Sequence, residues 1–289
     1  MNPFAISGRT AISVSGGRTS GYMLWRVLQA NGGRLPPDTV AMFANTGKED
    51  EATLRFVRAM SEAWQVPILW IEYRATEPGY ALVDFDSASR QGEPFAAMIE
   101  KERFLPSPVQ RICTSRLKVR AMHRHFRALG WFDDDDGWDQ MVGIRADEHR
   151  RVVKVRNRAS PETAKETLVV PLADAGVAIS DVHAFWQDQP FGLELPTDGR
   201  GRTLAGNCDL CFLKPAAQIV SLIAERPERA IWWAAMERHA ETAWSDKRSE
   251  NYARFRNDRP SYAQMATFVD RQGRLFDADE DPIACFCGD

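Results

Sequence analysis

The sequence predicts an α/β fold, a parallel sheet flanked by helices on both faces, followed by a C-terminal helical and loop-rich extension. The main evidence is alternation. Through the first half, short apolar or β-branched runs take turns with stretches of helical period, which is how strands joined by crossover helices read. A second observation is a glycine-bearing turn between the first strand run and the first helical stretch. The third is composition: 44% apolar and 27% charged over 289 residues, enough for one large domain or a domain with an appendage.

Taken in order, Thr10–Val14 is the first strand and Gly21–Gln29 the first helix, with Tyr22, Leu24, Trp25 and Leu28 at helical spacing. Thr39–Ala44 is the second strand. Glu49–Trp64 is a helix with Leu54, Val57 and Met60 along one stripe and acids at its start. Val66–Glu72 is the third strand. Residues 77–110 are rich in Gly, Pro and Ser and lack a period, so they are expected to form a mobile insertion or lid. Thr114–Leu129 reads as one basic helix, with His123 and His125 expected on its surface. Met141–Ile144 is a strand preceded by a solvated acidic turn, Asp133–Asp136. Beyond it Arg150–Arg158 reads as basic and strand-like, Leu168–Leu172 as apolar, and Ser180–Gln187 as helical. Gly192–Cys211 is loop-rich, Ala216–Ala224 and Ala230–Ala240 are helical, and the tail from Asn257 is polar. A composition shift near residue 150 sets an N-terminal core at 1–150 and a C-terminal portion at 151–289.

No apolar stretch is long enough to span a membrane. The N-terminus lacks the basic and apolar regions of a signal peptide, so a cytoplasmic location is expected. A net charge of −3 gives no global case for nucleic-acid binding. The clusters Arg111–Arg127 and Arg145–Arg158 offer a local one. The nine tryptophans are expected as core or interface anchors, with stacking on a base as the alternative.

The string Ser15-Gly16-Gly17-Arg18-Thr19-Ser20 lies between the first strand and the first helix. Glycines let backbone approach an anion, and the amides at a helix start bind phosphate. It is neither a GxxxxGK[ST] loop nor a GxGxxG loop. It resembles SGGxxS, the PP-loop of the adenine-nucleotide α-hydrolase superfamily. Further segments follow in the order of its phosphoadenosine phosphosulfate (PAPS) reductase-like branch. Ala44-Asn45-Thr46-Gly47 with Glu49–Thr53 resembles DTG…ET, with Asn45 in place of Asp. It also reads as a helix capped by Thr46 with acids in the first turn. Arg111-Ile112-Cys113-Thr114 with Leu117-Lys118 resembles RxCT…LK, and Arg116, Lys118, Arg120 and Arg124 become candidates to hold phosphate or sulfate. Gly143-Ile144-Arg145 with Glu148 resembles GxRxxE…R. A C-terminal PL…DV…GNCxxC stretch ends at Cys208 and Cys211.

The resemblance implies a Rossmann-like sheet with a nucleotide, ATP or APS/PAPS with Mg²⁺, across the carboxyl ends of its strands. It assigns Ser15, Gly16, Gly17, Arg18, Thr19, Ser20, Asn45, Thr46, Gly143 and Arg116 to nucleotide binding and Lys118 and Arg145 to catalysis. Cysteines suggest more. Cys208 and Cys211 form CxxC, Cys285 and Cys287 form CxC, and Cys113 stands alone. Together they suit a [4Fe–4S] cluster or a structural zinc, or thiols without metal. The implied chemistry is ATP-dependent activation with pyrophosphate release and cluster-assisted sulfur transfer. The alternatives are sulfonucleotide reduction, for which the CFCGD tail lacks the ECGxH pattern, and a non-catalytic nucleotide-binding subunit. The implied partners are a nucleic-acid acceptor, tRNA or DNA, and a sulfur or electron donor protein, with no membrane and with an oligomer left open.

Overall fold

The computed structural model describes residues 2–157, 165–198, 203–244 and 253–272. Its centre is a six-stranded sheet in the order β4-β3-β2-β1-β5-β6. The strands are β1 (Thr10–Ser13), β2 (Thr39–Asn45), β3 (Ile68–Tyr73), β4 (Tyr80–Val83), β5 (Trp138–Val142) and β6 (Glu166–Val169). All neighbours pair in parallel except β3 and β4, so β4 is an antiparallel edge. The expected α/β fold is therefore present. Winding reverses at β1, which pairs with β2 on one side and β5 on the other, aligning Ser13 with Met42 and with Val142.

The two-residue period of the strands sorts side chains into two cores. Ile12, Val14, Ala41, Phe43 and Trp70 face one way, into a large core with α1 (Arg18–Ala30) and α2 (Glu51–Ala63). Ala11, Met42, Ala44 and Ile71 face the other way, onto α4 (Arg120–Ala128) through Ala121, Met122 and Phe126. α1 buries Tyr22, Met23, Leu24, Val27 and Leu28. Gly21 lets it pack closely, because a Cβ there would meet Met60 Sδ at 2.7 Å and the Trp186 ring at 2.8 Å. Trp186 belongs to α7 (Ile179–Gln187), where a helix was expected, and donates its indole N–H to the Arg18 carbonyl at 2.8 Å. The large core unites residues on both sides of position 150: Phe56 meets Trp186, and Phe95 of α3 (Glu93–Glu102) meets Trp233 of α9 (Arg229–Ala243).

Several expectations are corrected. Residues 77–110, expected as an insertion or lid, contain β4 and α3, whose Phe95, Met98 and Ile99 are buried in the core. The basic stretch read as a strand is α5 (His149–Arg156). Val152 and Val155, three apart, are buried while Val153 is exposed, a helical period that the β-branched composition disguised. The single basic helix is a π-helical turn, Thr114–Val119, running into α4. The polar tail contains α10 (Tyr262–Gln272), docked through Tyr262 and Met265 on α8 (Ala216–Glu225) and α9. The Thr46 cap is replaced by Asp50, whose carboxylate accepts from the Ala52 N–H at 2.9 Å. A short helix α6 (Pro171–Asp174) follows β6.

Candidate functional site

The chain leaves the sheet after Val14, whose N–H still bonds the Met42 carbonyl at 2.9 Å. Gly16 then takes a φ of +79°, where a side chain is strained, and a Cβ would lie 2.4 Å from Thr53 Cγ2. The turn is held by the Ser20 hydroxyl. It accepts from the Ser15 N–H at 3.0 Å, lies 2.9 Å from the Ser15 hydroxyl, and donates to the Gly17 carbonyl at 3.0 Å. Gly17 is the N-cap of α1 and offers no side-chain cap. The first-turn amides therefore have no intrahelical partner and point out of the helix start. Across the bend, Gly143 follows β5 so closely that a Cβ there would meet Ser20 Cα at 3.0 Å.

Arg145 lies against this loop. Its Nη1 donates to Thr19 Oγ1 at 3.0 Å and its Nε to Asp147 at 3.0 Å, and its backbone N–H bonds Glu148 at 2.9 Å. Arg18 points elsewhere. Its guanidinium bonds the Leu193 and Leu195 carbonyls at 2.5 and 3.3 Å and Thr203 Oγ1 at 3.1 Å, and burial holds its pKa below the usual arginine value. Only the backbone of Arg18 remains for an anion at the bend.

A cavity of about 650 Å³ opens at this point and runs along the sheet face beneath α4. Ser15, Ser20, Gly143, Arg111, Thr114 and Lys118 line its mouth. Val119, Met122, Val142 and Leu168 form its apolar waist. His123, Gln140 and Glu166 line it farther along, and Lys154 and Asn157 contribute from the α5 side. Its mouth lies at the carboxyl ends of β1 and β5, the reversal point where open α/β sheets hold ligands. No tryptophan of the described residues lines it.

The expected site residues divide accordingly. Ser15, Ser20, Gly143 and Lys118 line the cavity, and Gly16, Gly17 and Thr19 build the bend beside it. Asn45 and Thr46 do not line it. Asn45 is fully buried, donating to Glu72 at 2.7 Å and the Ser89 carbonyl at 2.8 Å while accepting from the Gly47 N–H at 3.1 Å. Thr46 is tied to the Glu49 carboxylate through its N–H at 2.9 Å and its hydroxyl at 2.8 Å. Both shape the chain after β2. Arg116 pairs with Glu102 at 2.5 Å, and Arg124 donates to the Gly79 carbonyl at 3.1 Å.

The histidines are corrected most. Both are buried, at 8% and 7% exposure, and not on the surface. His123 Nε2 sits 2.7 Å from Glu166 Oε2 inside the cavity wall. His125 lies against Tyr80, and burial lowers its pKa. Sequence reasoning missed Glu166 altogether, since a lone Glu in a polar stretch carries no pattern. Only the β5–β6 register brings it to the cavity.

Of the cysteines, Cys208 is half-buried, with its sulfur 3.4 Å from Thr46 Oγ1. Burial, and then the Glu49 carboxylate, push its thiol pKa well up, against the lowering expected of a CxxC pair, while Lys118 pulls the other way. Cys211 is buried and Cys113 is half-buried at the start of the π-helical turn. Among the described residues no three Cys, His, Asp or Glu converge as metal donors, so these thiols do not by themselves fit a four-thiolate cluster or zinc site. Cys285 and Cys287 lie outside the described residues. No described helix is long and apolar enough to cross a membrane.

An open, mostly parallel sheet with an uncapped helix start beside a cavity at its reversal point defines a doubly wound α/β protein. The chain belongs to the same family as the uncharacterized nin region protein ORF290 of Escherichia phage lambda. The two are 30% identical over 223 residues, covering 72% of this chain and 67% of that one. No family model matches. Among solved structures, the phosphate complex of PAPS reductase from Candida auris is similar at a TM-score of 0.39 and 15% identity, covering 65% of this chain and 75% of that one. That likeness is too distant to transfer a residue or a reaction.

Proposed function

We propose that the chain is an adenine-nucleotide-binding enzyme of the PAPS reductase-like kind, which activates an acceptor with ATP, releases pyrophosphate and serves sulfur transfer. The observation that carries this is the uncapped start of α1 at the Ser15–Ser20 bend, opening into the cavity between the ends of β1 and β5. A nucleotide's phosphates would enter where Ser15, Ser20, Lys118 and Arg111 line the cavity.

An acceptor oxygen attacks the α-phosphorus. The bond to the bridging oxygen breaks, and pyrophosphate leaves with the electron pair. Negative charge grows on that leaving group. In this reading the bend amides and Lys118 stabilise it, and Arg145, which does not line the cavity, supports the bend through Thr19 while Asp147 and Glu148 hold it in place. Mg²⁺ enters with the nucleotide as its counter-ion. Sulfur chemistry draws its support from the order of the motifs from Ser15–Ser20 to Cys208 and Cys211. The activation step passes through no cluster.

The test is product analysis of the full chain under reducing, oxygen-free conditions. ATP with a tRNA or DNA acceptor is expected to yield pyrophosphate, and Lys118→Ala or Arg145→Ala to slow it by about a hundredfold. Sulfite released from PAPS with a thiol reductant, and no pyrophosphate from ATP, would replace this reaction by sulfonucleotide reduction. If neither nucleotide binds, the proposal fails.

A further inference from the structure

We infer that the outward face of α9 is a self-association surface, on which a second copy of the chain packs antiparallel about a two-fold axis level with Trp233. This is independent of the nucleotide reading. α9 turns Ala230, Trp233, Glu237 and Ala240 inward, three and four residues apart. Its opposite face therefore carries Glu228, Ile231, Ala235, Arg238 and Thr242, with the same spacing. A helix that faces water normally covers that side with charge. α2 does so with Arg55, Arg58 and Glu62, all exposed. The stripe on α9 carries no charge between Glu228 and Arg238. Instead Ile231 is 67% exposed, beside the half-buried Trp232, Ala234 and Ala235. Covering such apolar surface is favourable.

The two end charges say what covers it. Glu228 and Arg238 are exposed and opposite in sign, and neither side chain has an ion-pair or hydrogen-bond partner among the described residues. They stand roughly 15 Å apart along the helix at ~1.5 Å per residue, too far to meet within one chain. An antiparallel copy centred at Trp233 sets Glu228 against Arg238 of the second copy, and Arg238 against its Glu228. The same centre sets Ile231 against Ala235 of the second copy, where a small side chain makes room for a large one. The two Ile231 side chains then meet near the axis. A shift by one helical turn strands the charges, and a parallel copy opposes like charges. Such a pairing is isologous, the commonest form of self-association. The seam is one helix long, smaller than a standard interface, so modest affinity is expected.

Sedimentation velocity of the full chain over a concentration series tests this. Wild type is expected to show a reversible monomer–dimer equilibrium with a Kd of about 10 µM. Ile231→Asp puts a charge at the axis and is expected to weaken association more than about tenfold. Arg238→Glu opposes like charges at both ends of the seam and is expected to weaken it about tenfold. Adding Glu228→Arg to that variant reverses both pairs and is expected to restore affinity to within about threefold of wild type. All three positions are exposed in the monomer, and circular dichroism checks that each variant keeps its helices. A double variant as weak as Arg238→Glu alone overturns the antiparallel register. A dimer indifferent to Ile231→Asp uses another surface, and a wild type that stays monomeric throughout leaves the face to a different partner. Either result overturns the proposal and leaves the nucleotide reading untouched.

Discussion

Gly16 is a position where one added methyl decides local geometry. Its φ of +79° is unfavourable for any other residue, and the space a Cβ would take holds Thr53 Cγ2. Gly16→Ala is expected to cost about 1–3 kcal/mol, measured by denaturant titration, and to weaken pyrophosphate binding by more than tenfold. His125 gives a pH-dependent test. Its Nε2 is buried without a hydrogen-bond partner and burial lowers its pKa, so the folded state holds the neutral ring. As pH falls through the ordinary histidine value of about 6.5, the unfolded chain gains a proton that the folded chain refuses, and stability drops with acid. The urea midpoint should fall from pH 8 to pH 5.5 by less in His125→Phe than in wild type. An equal fall in both would show that the ring does not control this limb. The sequence put both histidines on the surface because a basic helix reads as solvated. What it could not show is that α4 turns Met122, His123 and Phe126 toward the sheet.

Among the elements, α1 does two jobs that its sequence only half reveals. Its apolar spacing announces the buried face, and its Ser/Gly start announces a bend. The direction of Arg18 was hidden, because its partners are main-chain carbonyls of residues 193 and 195, far along the chain. Arg18→Met removes that latch and keeps the backbone amide. It is expected to speed limited proteolysis between residues 189 and 206 while changing ATP affinity less than about threefold, within the range of a side chain that does not touch the ligand. A tenfold loss of affinity would return Arg18 to the ligand shell. The π-helical turn was equally illegible. A basic amphipathic run gives no sign that one turn will widen, yet in it Leu117 is buried while Lys118 lines the cavity.

At the scale of the whole molecule, buried ion pairs join the part before residue 150 to the part after it. Lys48 meets Asp209 at 3.1 Å, and Asp50, already capping α2, pairs with Arg229. Removing Arg229 leaves the buried Asp50 carboxylate with only the more exposed Arg226, 3.7 Å away, as a weaker cationic partner. Arg229→Met is expected to lower stability by about 3 kcal/mol, and thermal melts of variant and wild type should show it. The parallel sheet, its first three strands and the glycine bend were legible because each follows from local pattern, whereas the strand order and the antiparallel β4 edge depend on pairings between distant segments. The cavity was not legible either, because its wall comes from residues that the register of β5 and β6 and the docking of α5 bring together.

That wall has a practical consequence for anyone trimming the chain. A fragment stopped at residue 150 keeps the Gly16 turn, Lys118 and Arg145 but discards Lys154, Glu166 and Leu168. It also discards Trp186, Trp233, Asp209 and Arg229, which complete the large core and the buried ion pairs of Lys48 and Asp50, so such a piece is expected to lose the turn's geometry and its hold on phosphate along with the wall.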